Sequence, residues 1–272
     1  MNKMKVLVAS AAMLAAVSCG KEPKVLVLYY SQTSNTKAVA EQIAAKLGAD
    51  TEEIVALNPY DGDFQATIER CLQERAEGVI PEIQPLASKL ADYDVIFLGY
   101  PVWFGTYAPP VIALLKQVDL SGKKVVPFCT FGSGGLDSSV RDLRAAQPGA
   151  EVLDGYGVRA ARMDAMPKEI DRYLQATGFI KGDYVEPEAF PELQPAGEEE
   201  AAIFDAAVAG YPMIHAKAES VAKRSVPDGT EYLFTAKSLP REGDDRVPPA
   251  GEMKVYVLVE EGQAPVFTQV VR

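Results

Sequence analysis

Six residues between an apolar run and a helical pattern carry the groups that binding a phosphate requires. Residues 31–36 read S-Q-T-S-N-T; they follow the apolar residues 24–30 and precede an alanine-rich stretch. A turn from a strand into a helix presents unpaired backbone N–H groups at the positive end of the helix dipole, and Ser and Thr hydroxyls add further donors. The pattern predicts a phosphate-binding loop, and a loop that only caps the helix is the alternative.

The same loop lacks the residues of the common nucleotide-binding motifs. It contains no basic residue, whereas a Walker loop ends in Gly-Lys-Ser/Thr and a dinucleotide-binding turn reads G-x-G-x-x-G. The sequence therefore favours a phosphate that is held by neutral donors.

Two later loops carry residue types that suit a flat ligand. Residues 101–107, P-V-W-F-G-T-Y, include the only tryptophan of the chain, and Trp103, Phe104 or Tyr107 could stack on a planar ring. These aromatic residues could instead only seal the end of a sheet. Residues 132–135, G-S-G-G, would let backbone amides approach a ligand closely, although a plain loop would use the same glycines.

Strand-like and helical patterns alternate through the first two thirds of the chain. The predicted strands cover residues 24–30, 51–57, 94–100, 124–131 and 151–159. The apolar runs at residues 25–30 and 94–100 are continuous, as in parallel strands covered by helices on both faces. Helical patterns fill residues 36–47 and the segment after Pro110. We expect an α/β fold with a doubly wound five-stranded parallel sheet, whose carboxyl edge brings the three loops together.

Together, the three loops resemble the flavin-binding loops of short-chain flavodoxins, and the resemblance covers residues 24–180. Residues 31–36 correspond to the phosphate loop of that family, residues 99–105 to its first flavin loop and residues 129–135 to its second. The resemblance implies non-covalent binding of FMN. The residues it assigns to this cofactor are Ser31, Gln32, Thr33, Ser34, Asn35 and Thr36 at the phosphate, Pro101, Val102, Trp103 and Phe104 against the ring, and Thr130, Phe131, Gly132, Ser133 and Gly134 around its polar edge. Ser34 departs from the family, many members of which have glycine there.

The resemblance implies redox chemistry that the cofactor performs and the protein tunes. Aromatic stacking and a pocket without nearby cations disfavour negative charge on the reduced flavin, which predicts an electron carrier of low potential without catalytic residues. The alternative is an NAD(P)H- or quinone-linked flavin oxidoreductase. Such enzymes commonly place a histidine near the ring, whereas His215, the only histidine, lies outside the expected flavin domain; Tyr100 and Tyr107 could donate hydrogen bonds instead. A flavin-free binding or docking lipoprotein on the same fold is the third possibility.

The first 19 residues have the pattern of a bacterial lipoprotein signal peptide. Lys3 and Lys5 precede the apolar residues 6–17, a stretch too short to span a bilayer. Residues 14–19, L-A-A-V-S-C, resemble a lipobox, which implies cleavage before Cys19 and acylation of this residue. We expect an exported protein with a lipid anchor in the cell envelope, facing the periplasm. An ordinary secretory signal is the alternative.

Composition limits the remaining partners and cofactors. The 272 residues, 48% of them apolar, are enough for one large domain and a smaller one. A formal charge of −11 argues against nucleic acid. The partners that the resemblances imply are FMN, a redox protein or quinone, and the membrane. Besides Cys19 there are only Cys71 and Cys129, so no metal site is predicted. We expect two separate buried thiols, with a disulfide as the alternative.

The last part of the chain predicts a linker and a second domain. Residues 181–198 are rich in Pro and Glu, which is typical of an extended linker. Residues 199–272 predict a small α+β domain, with a helix at 199–209, strands near 214–224, 231–238, 253–260 and 265–271, and a mobile loop at 240–251. The order weakly resembles the cystatin-like fold. Residues 225–229, S-V-P-D-G, lack the Q-x-V-x-G wedge of protease-inhibiting relatives, so we expect a docking or stabilising module.

Overall fold

The structure, a computed structural model, describes residues 22–184, 186–211, 213–239 and 251–272. The expected signal peptide with Cys19, and all but the last residue of the expected mobile loop, lie outside the described residues. Within those ranges, no helix combines the length and the apolar character needed to cross a membrane. The described residues form two separate sheets.

The first sheet is the predicted parallel sheet. Its strands are β1 (Val25–Tyr29), β2 (Asp50–Glu53), β3 (Val95–Trp103), β4 (Thr106–Tyr107), β5 (Lys124–Phe131), β6 (Glu151–Val152) and β7 (Tyr156–Arg159). The order is β2-β1-β3-β5, with β6 and β7 both parallel to β5, and β4 returns antiparallel against the end of β3. This confirms the doubly wound architecture, in which the ligand site lies at the carboxyl edge near the point where the strand order reverses.

The fifth predicted strand, residues 151–159, is split into β6 and β7. The two pieces pair with the first and the last part of β5, and the gap falls opposite Val126 and Pro127. Pro127 has no backbone N–H to donate to a neighbouring strand, which accounts for a break in the ladder at this point.

Helices cover both faces of this sheet. They are α1 (Asn35–Leu47), α2 (Phe64–Glu77), α3 (Pro109–Gln117), α4 (Leu136–Ala146) and α5 (Met166–Ala176). Alternate residues of each buried strand face opposite layers: Val27 packs with Ile43 of α1 and Ile170 of α5, whereas Leu28 packs with Leu114 of α3 and Leu143 of α4. This two-sided burial explains the continuous apolar runs.

The second sheet is antiparallel and, together with one helix, forms what we call the C-terminal module. Its elements are β8 (Gln194–Pro195), α6 (Glu198–Val208), β9 (Ala216–Val226), β10 (Gly229–Ser238), β11 (Glu252–Glu260) and β12 (Val266–Val271), in the order β12-β11-β10-β9-β8. Phe204 of α6, Phe234 and Phe267 are fully or almost fully buried in its core. The predicted helix and four strands are all present. The end of the predicted linker differs, because β8 pairs with β9 as an edge strand, where proline is tolerated.

The two described cysteines are free thiols. Cys71 lies in α2 and Cys129 in β5, and both are buried. Burial raises the pKa of Cys71 to about 11, and it raises the pKa of Cys129 further. The expectation of two separate buried thiols is confirmed.

Candidate functional site

The phosphate loop, residues 31–36, presents a row of unpaired backbone donors. Ser34 has a left-handed conformation, with φ 65° and ψ −6°, and α1 begins at the next residue without a side-chain cap. Among the hydrogen bonds of the described residues, no protein group accepts from the backbone N–H groups of residues 32–36. Five consecutive free N–H groups at a helix start form a cradle for an anion.

Two side chains of this loop hold its shape. The hydroxyl oxygen of Ser31 accepts from the backbone N–H of Lys37 at 3.2 Å. The amide of Gln32 donates to the carbonyl of Tyr60 at 2.8 Å and to the hydroxyl of Thr67 at 2.9 Å. Ser31 and Gln32 therefore fix the loop to its own helix and to the connection between β2 and α2.

The remaining side chains of the loop fall into two groups. The hydroxyls of Thr36 and Thr130 lie 2.9 Å apart in a buried hydrogen bond in which either group can be the donor, and the backbone N–H of Thr36, which has no acceptor among the described residues, is free for a phosphate. Thr33 and Ser34 are exposed, and Asn35 is half-buried. The resemblance predicts that the phosphate is held by Ser31, Thr33, Asn35 and Thr36, with backbone amides from Gln32 and Ser34. The structure adds the exposed hydroxyl of Ser34 as a further candidate donor.

Trp103, at the end of β3, stands in a cluster of aromatic rings. Its ring packs edge-on against Tyr30 at 5.9 Å and against Tyr60 at 5.3 Å between centroids. Trp103 is half-buried and both tyrosines are buried. The ring of Trp103 thus has a fixed orientation and one partly open side, as stacking on a planar ligand requires.

Sequence reasoning missed the residues that support this cluster from α2. The guanidinium of Arg70 lies 3.7 Å from the ring centroid of Tyr60 and donates to Glu74 at 2.8 Å. The hydroxyl of Tyr60 donates to Glu74 at 2.6 Å, and burial together with this carboxylate raises the pKa of Tyr60. Only the four-residue spacing of Arg70 and Glu74 is visible in the sequence; their contact with Tyr60 depends on the folded chain.

Phe104 projects from a tight turn between β3 and β4. Phe104 and Gly105 both have positive φ, 52° and 83°, which is the conformation of a two-residue hairpin turn. A phenylalanine rarely adopts it, and such strain clusters at functional sites. The side chain of Phe104 is 47% exposed, with the guanidinium of Arg75 5.3 Å from its ring centroid. Ser138 of α4 donates to the carbonyl of Gly105 and fixes the turn.

The second flavin loop, residues 129–135, contacts the C-terminal module. The backbone N–H of Val270 in β12 donates to the carbonyl of Ser133 at 2.7 Å. A Cβ atom at Gly134 would overlap the carbonyl oxygen of Val270. At Gly132, it would lie 3.1 Å from the hydroxyl of Tyr211. The glycines were expected to let a ligand approach the loop closely. At Gly134, β12 makes this close approach instead.

A buried cation lies beside this loop. Arg159, at the end of β7, is 7% exposed. Its Nε donates to the carbonyl of Gly132 and its Nη1 to the carbonyl of Phe267, both at 2.9 Å. Within the described residues it forms no ion pair with a carboxylate, and burial lowers its pKa. The prediction of a pocket without nearby cations does not account for this guanidinium beside the second flavin loop. The sequence does not reveal this, because the pairing of Arg159 with Phe131 of β5 brings it there.

A cavity of about 360 Å³ adjoins both flavin loops. The first loop contributes Gly105, and the second contributes residues 133–135. Ser138 and Arg141 of α4 form another wall, and residues 270–272 of the C-terminal module close the remaining side. The module is therefore part of the surroundings of the candidate site.

One expected donor for a reductase is buried. Tyr100 is fully buried, and its hydroxyl donates to Ser139 at 3.2 Å inside the core. Burial raises the pKa of Tyr100. Tyr107 packs edge-on against it at 5.7 Å and is 8% exposed. Tyr100 is therefore not available to donate a hydrogen bond to a ligand.

Comparison with known proteins gives one family and several solved structures. The model of the family described as Flavodoxin matches residues 24–171. Similar structures include a putative flavoprotein from Bacteroides eggerthii, with 27% identity, coverage of 58% of this chain and 99% of that chain, and a TM-score of 0.51. A putative flavoprotein from Bacteroides uniformis has 27% identity, coverage of 56% and 99%, and a TM-score of 0.49. A flavoprotein in complex with FMN from Lactobacillus acidophilus has 29% identity, coverage of 56% and 99%, and a TM-score of 0.47.

Proposed function

The chain belongs to the flavodoxin family through residues 24–171, and from this we propose that it binds FMN non-covalently and carries electrons between redox partners. When bound, FMN supplies one- and two-electron redox chemistry. The observation that carries the proposal is the row of five backbone N–H groups, residues 32–36, that have no acceptor among the described residues. The similarity to the flavoprotein from Bacteroides eggerthii supports it.

The hydrogen-bond donors of the phosphate loop and the dipole of α1 both suit the phosphate of FMN. The loop lies at the start of α1, where the helix dipole favours an anion. Thr33, Ser34 and Asn35 add hydroxyl and amide donors to the backbone N–H groups. Ser31 and Gln32 keep the loop in shape through their own hydrogen bonds, so little ordering is left to occur on binding.

The aromatic residues beside this loop suit the flavin ring. Trp103 is held by Tyr30 and Tyr60, and Phe104 is exposed on a fixed turn. An aromatic contact of this kind contributes about 0.5–1.5 kcal/mol beyond area burial. These side chains would orient the ring and exclude water from the face that they cover.

The potential of the bound cofactor depends on two opposing features. Apolar aromatic walls disfavour added negative charge, which favours the low potential expected of an electron carrier. The buried guanidinium of Arg159 lies beside the second flavin loop and favours negative charge there. This cation is also the observation that favours the second candidate function, an NAD(P)H- or quinone-linked flavin oxidoreductase. Steady-state oxidation of NAD(P)H in the presence of a quinone separates the two functions.

Titration of the purified protein with FMN tests the proposal. We expect quenching of flavin fluorescence with saturation at one FMN per chain, and weaker binding by a Trp103→Ala variant. A Phe64→Ala variant is the matched control, because Phe64 is also exposed but begins α2, outside the predicted loops. Absence of quenching by the unaltered protein would leave a flavin-free binding module as the function.

A further inference from the structure

We propose that the C-terminal module is a structural support for the second flavin loop, and that Arg159 is the positioning residue that couples FMN binding to the docking of this module. The inference rests on the proposed function, since it assumes that FMN binds beside this loop. It makes the expected docking or stabilising role of the module specific to one loop of the candidate site.

The first step is the bridge that Arg159 builds. One guanidinium donates both to Gly132 in the loop and to Phe267 in β12, at 2.9 Å each. The guanidinium also lies 3.4 Å from the ring centroid of Phe267 and 5.4 Å from that of Tyr211. Arginine alone presents several donors in a rigid plane and stacks on aromatic faces, so a lysine cannot replace both contacts.

The second step is the direct contact between the loop and β12. The carbonyl of Ser133 accepts the N–H of Val270, and the absence of a side chain at Gly134 is what allows the two backbones to meet. Three successive residues of the loop, 132–134, therefore touch the module. Moving the module would release these contacts and free the loop.

The third step is a second contact that holds the module from another side. Asp228, in the turn between β9 and β10, accepts from Lys168 and Arg172 of α5. These cations, Arg172 foremost, lower the pKa of Asp228 to about 2. The turn predicted to lack the inhibitory wedge is thus engaged in docking. In the part of the chain that the structure describes, this contact lies on α5, whereas the contacts made through Arg159 and Val270 touch the flavin loop.

These contacts couple FMN binding to the docking of the module through thermodynamic linkage. A loop that the docked module holds in place loses less conformational freedom when FMN binds, so docking strengthens binding. By reciprocity, bound FMN strengthens docking by the same factor. Loss of the bridge should therefore weaken FMN binding and also loosen β12.

Hydrogen exchange and FMN titration on the purified full protein test the coupling. We expect FMN to slow exchange of the Val270 amide and its neighbours in β12, with no change for amides in the middle of β10. We expect Arg159→Met to weaken FMN binding by roughly 5- to 150-fold, the usual range of coupling between sites, and to abolish the effect of FMN on β12. We expect Arg159→Lys to show the same weaker FMN binding and the same loss of the effect of FMN on β12.

A matched control is Arg144→Met, since Arg144 also donates to a backbone carbonyl, that of Val152, but is 48% exposed at the far end of α4. This variant should behave like the unaltered protein. The exchange measurement on the unaltered protein needs no variant, so it stands even where Arg159→Met fails to fold. Unchanged β12 exchange on adding FMN, or unchanged FMN affinity of a folded Arg159→Met variant, overturns the coupling and leaves FMN binding intact. Failure of the unaltered protein to bind FMN overturns both proposals.

Discussion

Thr36 in the first turn of α1 and Thr130 near the end of β5 share a buried hydrogen bond of 2.9 Å between their hydroxyls. The two residues are 94 positions apart in the chain. Their contact ties the phosphate loop to the second flavin loop. It therefore fixes the distance between the parts of the site that would hold the two ends of the cofactor.

Removing one of these hydroxyls should cost stability. Thr130→Val keeps the shape of the side chain and leaves the buried hydroxyl of Thr36 without its partner, so we expect the free energy of unfolding to fall by about 1–3 kcal/mol. The double variant Thr36→Val, Thr130→Val should lose less than the sum of the single variants, because both polar groups are then absent. Chemical denaturation of the four proteins measures this. Strict additivity would show that the hydrogen bond contributes nothing.

Backbone strain at Ser34 predicts a difference between two substitutions. Ser34 has φ 65°, a conformation that costs an L-residue about 1–2 kcal/mol and costs glycine nothing comparable. We expect Ser34→Gly to be more stable than Ser34→Ala, which keeps the strain and also lacks the hydroxyl. The midpoints of urea unfolding compare the two variants. An alanine variant as stable as the glycine variant would contradict strain at this position.

The exposed ring of Phe104 should matter for FMN and little for the fold. We expect Phe104→Ala to weaken FMN binding several-fold, about the effect of one aromatic contact of 0.5–1.5 kcal/mol, because the ring is 47% exposed on the turn beside Trp103. Its thermal midpoint without FMN should change little, since the ring is half exposed and alanine, which also has a Cβ atom, keeps the same backbone strain. FMN titration and thermal unfolding measure the two effects. Equal FMN affinity of the variant and the unaltered protein would remove Phe104 from the site.

Docking of the C-terminal module should weaken in acid. The pKa of Asp228 is lowered to about 2 in the folded protein, against about 3.9 for an unperturbed aspartate. A lowered carboxyl pKa adds stability that is present above the unfolded value and is lost as pH falls through the folded value. We expect this contribution to disappear between about pH 4 and pH 2.

Asp228→Asn isolates that contribution. Its stability should fall less steeply than that of the unaltered protein over the same pH range, as followed by denaturant unfolding. Asp61→Asn, a change at an exposed carboxylate, serves as the control and should leave the slope unchanged. Identical slopes for the Asp228→Asn variant and the unaltered protein would show that this ion pair does not support docking.

The lipobox-like sequence that ends at Cys19 predicts a lipid anchor. We expect the mature protein to fractionate with membranes and to carry the added mass of acyl chains, because residues 14–19 resemble a lipobox. Cys19→Ala should lose both properties. Membrane fractionation together with intact-mass analysis checks this, and a variant with unchanged fractionation and mass would refute the anchor.

The sequence predicts the parallel sheet and its loops because the relevant signals are local. Continuous apolar runs mark β1, β3 and β5, and the polar, aromatic-rich or glycine-rich segments that follow them mark the loops. Tyr60 and Arg159 could not be predicted in the same way. Tyr60 reaches Trp103 through the packing of α2, and Arg159 reaches Gly132 through the pairing of β7 with β5. Both contacts depend on pairings that no local pattern encodes.

The glycine-rich loop is a mixed case. Its position at the edge of the sheet follows from the sequence, but the partner of its glycines does not. In the sequence, Gly134 indicates space for a ligand. In the structure, the backbone of Val270 occupies this space. A small residue indicates close approach without indicating what approaches.

The hydrogen bond from Val270 to Ser133 also affects the exposed edge of the second sheet. β12 is the outer strand of its sheet, and an outer strand offers free backbone donors on which another chain can add a strand and start aggregation. The outward N–H of Val270 is already taken by the neighbouring domain of the same chain. The contact that shapes the flavin loop thus also leaves this edge less able to pair with another chain.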